Sequence, residues 1–186
     1  MRRLAVALCF TASLLAQEIK HIDSANSRIE IRAYKSGLFS SFAGHNHVIE
    51  APISSGTIDE GRNIVELTVR TNEMQVLSPE ESEKNRIEIR KTMLSDKLLD
   101  AEKYPTISFR STSFKQLTPE SAEVGGELSL HGTVQRVTVM VRKVGDLYTG
   151  SGKLRQTHYG MKPVSIAGGT IKVKDEVEID FSIATK

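Results

Sequence analysis

The chain has 186 residues, of which 26% are charged and 5% aromatic, with no tryptophan, a single cysteine and a formal net charge of +2. A balance this close to neutral supplies no basic stripe for nucleic acid or an anionic membrane surface. One cysteine excludes a disulfide framework, so stability must come from a packed apolar core.

Met1-Arg2-Arg3 followed by the apolar run from Leu4 to Ala16 has the basic start and short hydrophobic stretch of a secretory signal peptide. It is too short to span a bilayer. Cleavage is expected after Ala16, with a cut after Ser13 as the alternative because Leu14 is large for the minus-three position. Cys9 follows Leu8, where a lipoprotein box takes a small residue, and lipidation is not expected. Residues 17–186 then form one exported domain, periplasmic or secreted, large enough to bury about 70% of its unfolded surface. Losing Arg2, Arg3 and Cys9 leaves it with zero net charge and no thiol.

From Arg28 onward apolar residues recur with period two: Ile29, Ile31 and Ala33 alternate with Arg28, Glu30 and Arg32. Such alternation marks a half-buried strand. It returns at Val65, Leu67 and Val69, and at Ile107 and Phe109. Ser78-Pro79-Glu80-Glu81 breaks the pattern, offering an N-cap, a first-turn proline and a capping-box glutamate for a surface helix running to about Ser95. Glu80 and Lys84 then form an i,i+4 pair, and Ile87 and Leu94 a narrow apolar stripe. Asp96 to Ala101 adds a turn.

Strands resume at Leu128 and Leu130 and at Val137, Val139 and Val141, with His131-Gly132-Thr133 between them as a hairpin turn. Asp146 to Gln156 forms another strand, weakened by Gly145, Gly150 and Gly152. Gly168-Gly169 reads as a tight turn. Asp175 interrupts the alternation between Val173 and Val177, and a turn is expected there, because an unpaired buried carboxylate is costly. Val177, Ile179, Phe181 and Ile183 close the chain as the cleanest alternation present. The fold class is mainly β: seven or more mostly antiparallel strands and one helix in one domain, which fits a closed barrel or a sandwich.

Phe42-Ala43-Gly44-His45-Asn46-His47-Val48 puts two imidazoles two residues apart, on one face of a strand. One reading is a metal site completed by His131 and His158. The other is histidines that bond backbone or ligand. Phe42, Gly44 and Val48 take the opposite alternation, so an inward Phe42 turns both histidines outward unless a bulge intervenes. Catalytic patterns are lacking: there is no Gly-x-Ser-x-Gly elbow, and Gly150-Ser151-Gly152-Lys153 fails as a phosphate loop because Leu147 stands where a glycine is required.

Phe42-Ala43-Gly44-His45, Met93-Leu94-Ser95, Leu99 through Pro105 with Ile107-Ser108-Phe109, Gly126 through Gly132, Ser165 through Thr170 and Lys174-Asp175-Glu176-Val177 occur in an order and spacing that resembles the YceI-like family. These are also called polyisoprenoid-binding or lipocalin-like periplasmic proteins, and the resemblance spans His21 to Ala184. It implies an antiparallel lipocalin-like β-barrel of about eight strands with one surface α-helix, periplasmic export and a long apolar tunnel for an isoprenoid lipid or isoprenoid quinone.

On that basis Phe42, His45, Phe109, Leu128, Leu130, Val139, Ile179 and Phe181 are the expected ligand contacts, and the end carrying Phe42 to Val48 is the expected place for a polar head. Binding without a cofactor, rather than turnover, is expected. The alternative is a metal- or stress-linked periplasmic protein using His45 and His47. The same inward Ile, Leu, Val and Phe side chains would equally fill a solid core.

Overall fold

The structure, a computed structural model, describes residues 19–36, 46–166 and 171–186. The strands are β1 (Ile19–His21), β2 (Arg28–Ser36), β3 (His47–Glu50), β4 (Ile53–Asp59), β5 (Ile64–Arg70), β6 (Gln75–Val76), β7 (Thr106–Thr118), β8 (Ser121–Leu130), β9 (Thr133–Val144), β10 (Leu147–Arg155), β11 (Ser165–Ile166) and β12 (Ile171–Ala184). One helix, α1 (Glu83–Leu94), interrupts them. All twelve strands belong to one antiparallel sheet, ordered β1-β4-β5-β7-β8-β9-β10-β12-β2-β3-β6 with β11 beside β12.

The sheet curls into a barrel because β3 and β4 act as one bent stave. They are separated by Ala51 and Pro52, and proline has no N–H to continue a ladder. Before the bend β3 pairs with β2, and after it β4 pairs with β5. The twelve described strands exceed the about eight expected, but the lipocalin-like barrel class holds, since β2, β3–β4, β5, β7, β8, β9, β10 and β12 follow one another in a circuit. Near the end of β12, β1 replaces β2 as the neighbour: Ile22 bridges Thr185, and Lys186 N–H donates to His21 O at 2.9 Å.

Alternation works as the sequence suggests. Ile29, Ile31 and Ala33 point inward from β2, and Val65, Leu67 and Val69 from β5. The β8–β9 turn is tighter than expected. His131 (φ 51°) and Gly132 (φ 72°) both have positive φ, the signature of a two-residue hairpin loop, and Thr133 already pairs with Leu130. Two buried clusters cap the interior. One gathers α1 with Ala33, Ile49, Leu130, Tyr159 and Val177; the other gathers Ile22, Ile53, Ile58, Tyr148 and Ile183.

Three local expectations are corrected. The helix starts at Glu83, not beside Ser78. Ser82 is its N-cap, accepting from Asn85 N–H at 3.2 Å, whereas the fully buried Ser78 accepts from Val48 N–H at 3.2 Å and so fastens β3. Glu80 therefore precedes the helix, and its expected i,i+4 pairing with Lys84 has no helical basis. Ile87 is 57% exposed, while Met93 is buried and Ile89 and Leu94 pack on the core. Asp175 lies within β12 at a register shift between Val173 and Val177 rather than in a turn. Its carboxylate accepts from Thr157 N–H and Oγ1, both at 2.8 Å, and remains partly exposed, so the irregularity accommodates it without breaking the strand. The Gly168-Gly169 turn and the segment 1–16 lie outside the described residues.

Candidate functional site

The inward faces of the staves do not meet. They surround a cavity of about 760 Å³, whose lining includes Ile31, Leu67, Phe109, Leu128, Val139 and Phe181. Two glycines explain part of this hollowness. The Phe109 ring lies diagonally across Gly126 on β8, and the Phe181 ring covers its paired residue Gly150 on β10; a Cβ at either glycine would overlap the ring. Each phenyl thus lies against the wall in a place another side chain would fill. The glycines that weaken β10 as a sequence pattern are, in the fold, seats for aromatic rings.

Of the eight expected contacts, Phe109, Leu128, Leu130, Val139, Ile179 and Phe181 all line this one cavity. Phe42 and His45 lie outside the described residues. The expectation missed Ile31 and Leu67, although the same alternation marks them, and Met93, Leu98 and Leu99, which no strand pattern could mark. These last three come from α1 and the turn after it, which cover one end.

At the opposite end charged groups gather. Glu60, in the turn after β4, accepts from Tyr148 Oη at 2.6 Å and from Lys143 Nζ at 2.5 Å, and pairs with Lys20 Nζ at 3.1 Å; Lys20 also reaches Asp146 at 2.7 Å. These groups come from β1, β9, β10 and two turns, so the cluster ties together staves that are not sheet neighbours. Lys143, then Tyr148 and Lys20, pull the Glu60 carboxyl down to about 2. Burial, then the bond to Glu60, pushes the Tyr148 phenol up, and the carboxylates of Asp146 and Glu60 raise Lys20.

At the helix end His47 faces the interior with Ile49, while Val48 does not line the cavity. His47 is therefore inward, while Phe42, on whose inward direction the outward register for the histidines depends, lies outside the described residues. Its Nδ1 is buried and has no hydrogen-bond partner among the described residues. Burial first, and then the Lys35 charge, hold the ring below the usual histidine range. His131 is committed elsewhere: Nδ1 lies 3.0 Å from Tyr159 O, and the ring packs on Tyr104 with centroids 4.5 Å apart. Among the described residues no three His, Cys, Asp or Glu side chains gather into a metal cage. Likewise, no helix among them is long and apolar enough to cross a membrane.

Comparison with known proteins places this geometry. The model of the YceI-like domain matches residues 21–185. Among solved structures, the BcnA protein of Burkholderia cenocepacia superposes with a TM-score of 0.61 at 16% identity, covering 89% of this chain and 99% of its own. A polyisoprenoid-binding domain from Saccharophagus degradans, implicated in plant cell wall breakdown, gives 0.60 at 15% identity, covering 90% and 97%. A Campylobacter jejuni YCEI protein gives 0.52 at 16%, covering 74% and 81%. At such identities these likenesses speak for the shared fold alone. The search of curated proteins finds no match.

Proposed function

We propose, from the premise that the chain belongs to the YceI-like domain family, that it is an exported carrier or store for an isoprenoid chain, a polyisoprenoid or an isoprenoid quinone, held in the barrel interior without a cofactor. The observation that carries this reading is the hollow itself: about 760 Å³ lined mostly by aliphatic and phenyl side chains. Each buried methylene contributes about 0.8 kcal/mol, so a five-carbon prenyl unit gains roughly 4 kcal/mol gross. Several units would exceed any realistic net affinity, so ordering the chain offsets much of the gain. Selection then follows length and dryness more than polar contacts.

Support also comes from the Saccharophagus domain described as polyisoprenoid-binding, which shares this fold. The proposed contacts are Phe109, Leu128, Leu130, Val139, Ile179 and Phe181, joined by Phe42 and His45 from the segment outside the described residues. The test is to fill the hollow. Val139→Trp and Ile179→Trp, checked for native β-structure by circular dichroism, are expected to weaken binding of a fluorescent prenyl lipid more than about tenfold. Unchanged binding by both folded variants would place the ligand elsewhere.

A further inference from the structure

The wall of the cavity carries a polar feature that an alkyl chain does not use. His47 pairs with Ala33 across β2 and β3, so Lys35, two residues beyond Ala33, shares its inward face. A buried imidazole nitrogen without a partner is costly unless something supplies one. The lysine is already balanced: Lys35 Nζ lies 3.8 Å from Glu81 Oε1, with the two side chains only 11% and 12% exposed, and Asn85 Nδ2 donates to the other Glu81 oxygen at 2.9 Å.

We propose that His47 and Lys35 form a polar subsite inside the apolar cavity that receives the oxygen-bearing head of the bound chain and selects an uncharged hydroxyl or carbonyl over a phosphate. This rests on the carrier reading above. Because Lys35 is already paired with Glu81 at 3.8 Å and both side chains are nearly buried, an entering phosphate would give up its hydration without gaining an unpaired cation from Lys35. An uncharged oxygen adds no charge. A neutral imidazole carries one donor and one acceptor nitrogen, so Nδ1 meets a hydroxyl in either tautomer and a carbonyl when protonated there.

The experiment compares three probes on delipidated protein: geranylgeraniol, geranylgeranyl diphosphate and phytane, the saturated hydrocarbon of the same skeleton without a head. Wild type is expected to bind the alcohol about tenfold tighter than phytane, the size of one net hydrogen bond, and tighter than the diphosphate. His47→Leu is expected to bring the alcohol-to-phytane ratio near one, and His47→Gln to retain part of the preference. The subsite is overturned if the ratio is the same in wild type and His47→Leu, or if wild type prefers the diphosphate. Should His47→Leu fail to fold, the wild-type comparison and the glutamine variant still decide. Binding of neither alcohol nor phytane by wild type removes the carrier reading itself, and the subsite with it.

Discussion

The ring of Phe109 occupies the space that a Cβ at Gly126 would need, so this ring position requires a glycine beneath it. Gly126→Ala forces the ring inward or the strands apart, since the Arg110 carbonyl oxygen lies 2.6 Å from the same point. Overpacking of this kind typically costs about 1–3 kcal/mol. A double-mutant cycle with Phe109→Ala, read by urea unfolding, is expected to show coupling, because removing the ring leaves only the backbone contact. Strict additivity would mean that the ring does not rest on the glycine.

Two serines with similar sequence settings differ in what they hold. Ser82→Ala removes an exposed N-cap and is expected to cost about 1 kcal/mol. Ser78→Ala leaves the Val48 N–H without its acceptor in a buried place, costing about 1–3 kcal/mol. Amide exchange separates them: the first variant speeds exchange at Asn85, the second at Val48. Equal effects on both amides in both variants would contradict the assignment.

Acid is expected to act on the barrel in two stages. Burial holds the folded His47 below its ordinary value, so the unfolded chain takes the proton first, and stability falls as pH drops below about 6.5. Glu60 behaves as a depressed carboxylate: its contribution is full above the ordinary value of 4.5 and drains away as pH falls toward about 2. Because the Glu60 side chain is 39% exposed, solvent screens its pairs and its stage is smaller than the shift alone would give. Unfolding free energies from neutral pH downward should lose the first slope in His47→Gln and show a lessened second slope in Glu60→Gln, since Asp146, Asp175 and Glu178 are also held below the usual carboxylate range. A wild-type slope just below neutrality in His47→Gln would contradict the burial of that ring.

The long staves were legible because a half-buried strand repeats every two residues, as at Ile29, Ile31 and Ala33 or at Val177, Ile179, Phe181 and Ile183. Strands of two to four residues, such as β1, β3 and β6, are too short to show a period. The helix start was ambiguous because Ser78 and Ser82 both carry cap chemistry, and the partner that decides between them, Val48, is 30 residues away. Asp175 was misread because its partner Thr157 lies 18 residues away, beyond the reach of any local pattern. Six of the expected contacts share one cavity since alternation fixes the inward face, but hollowness itself was not legible. The same side chains could line or fill, and only the strand register sets Phe109 on Gly126 and Phe181 on Gly150.

The most direct test of a hollow barrel holding an isoprenoid is to purify the protein gently from its natural source, extract it with organic solvent and identify the extract by mass spectrometry. The account predicts a prenyl lipid recovered reproducibly in near-stoichiometric amount and absent from the Val139→Trp variant. Protein that repeatedly yields no lipid, or yields the same lipid when the cavity is filled, would contradict it.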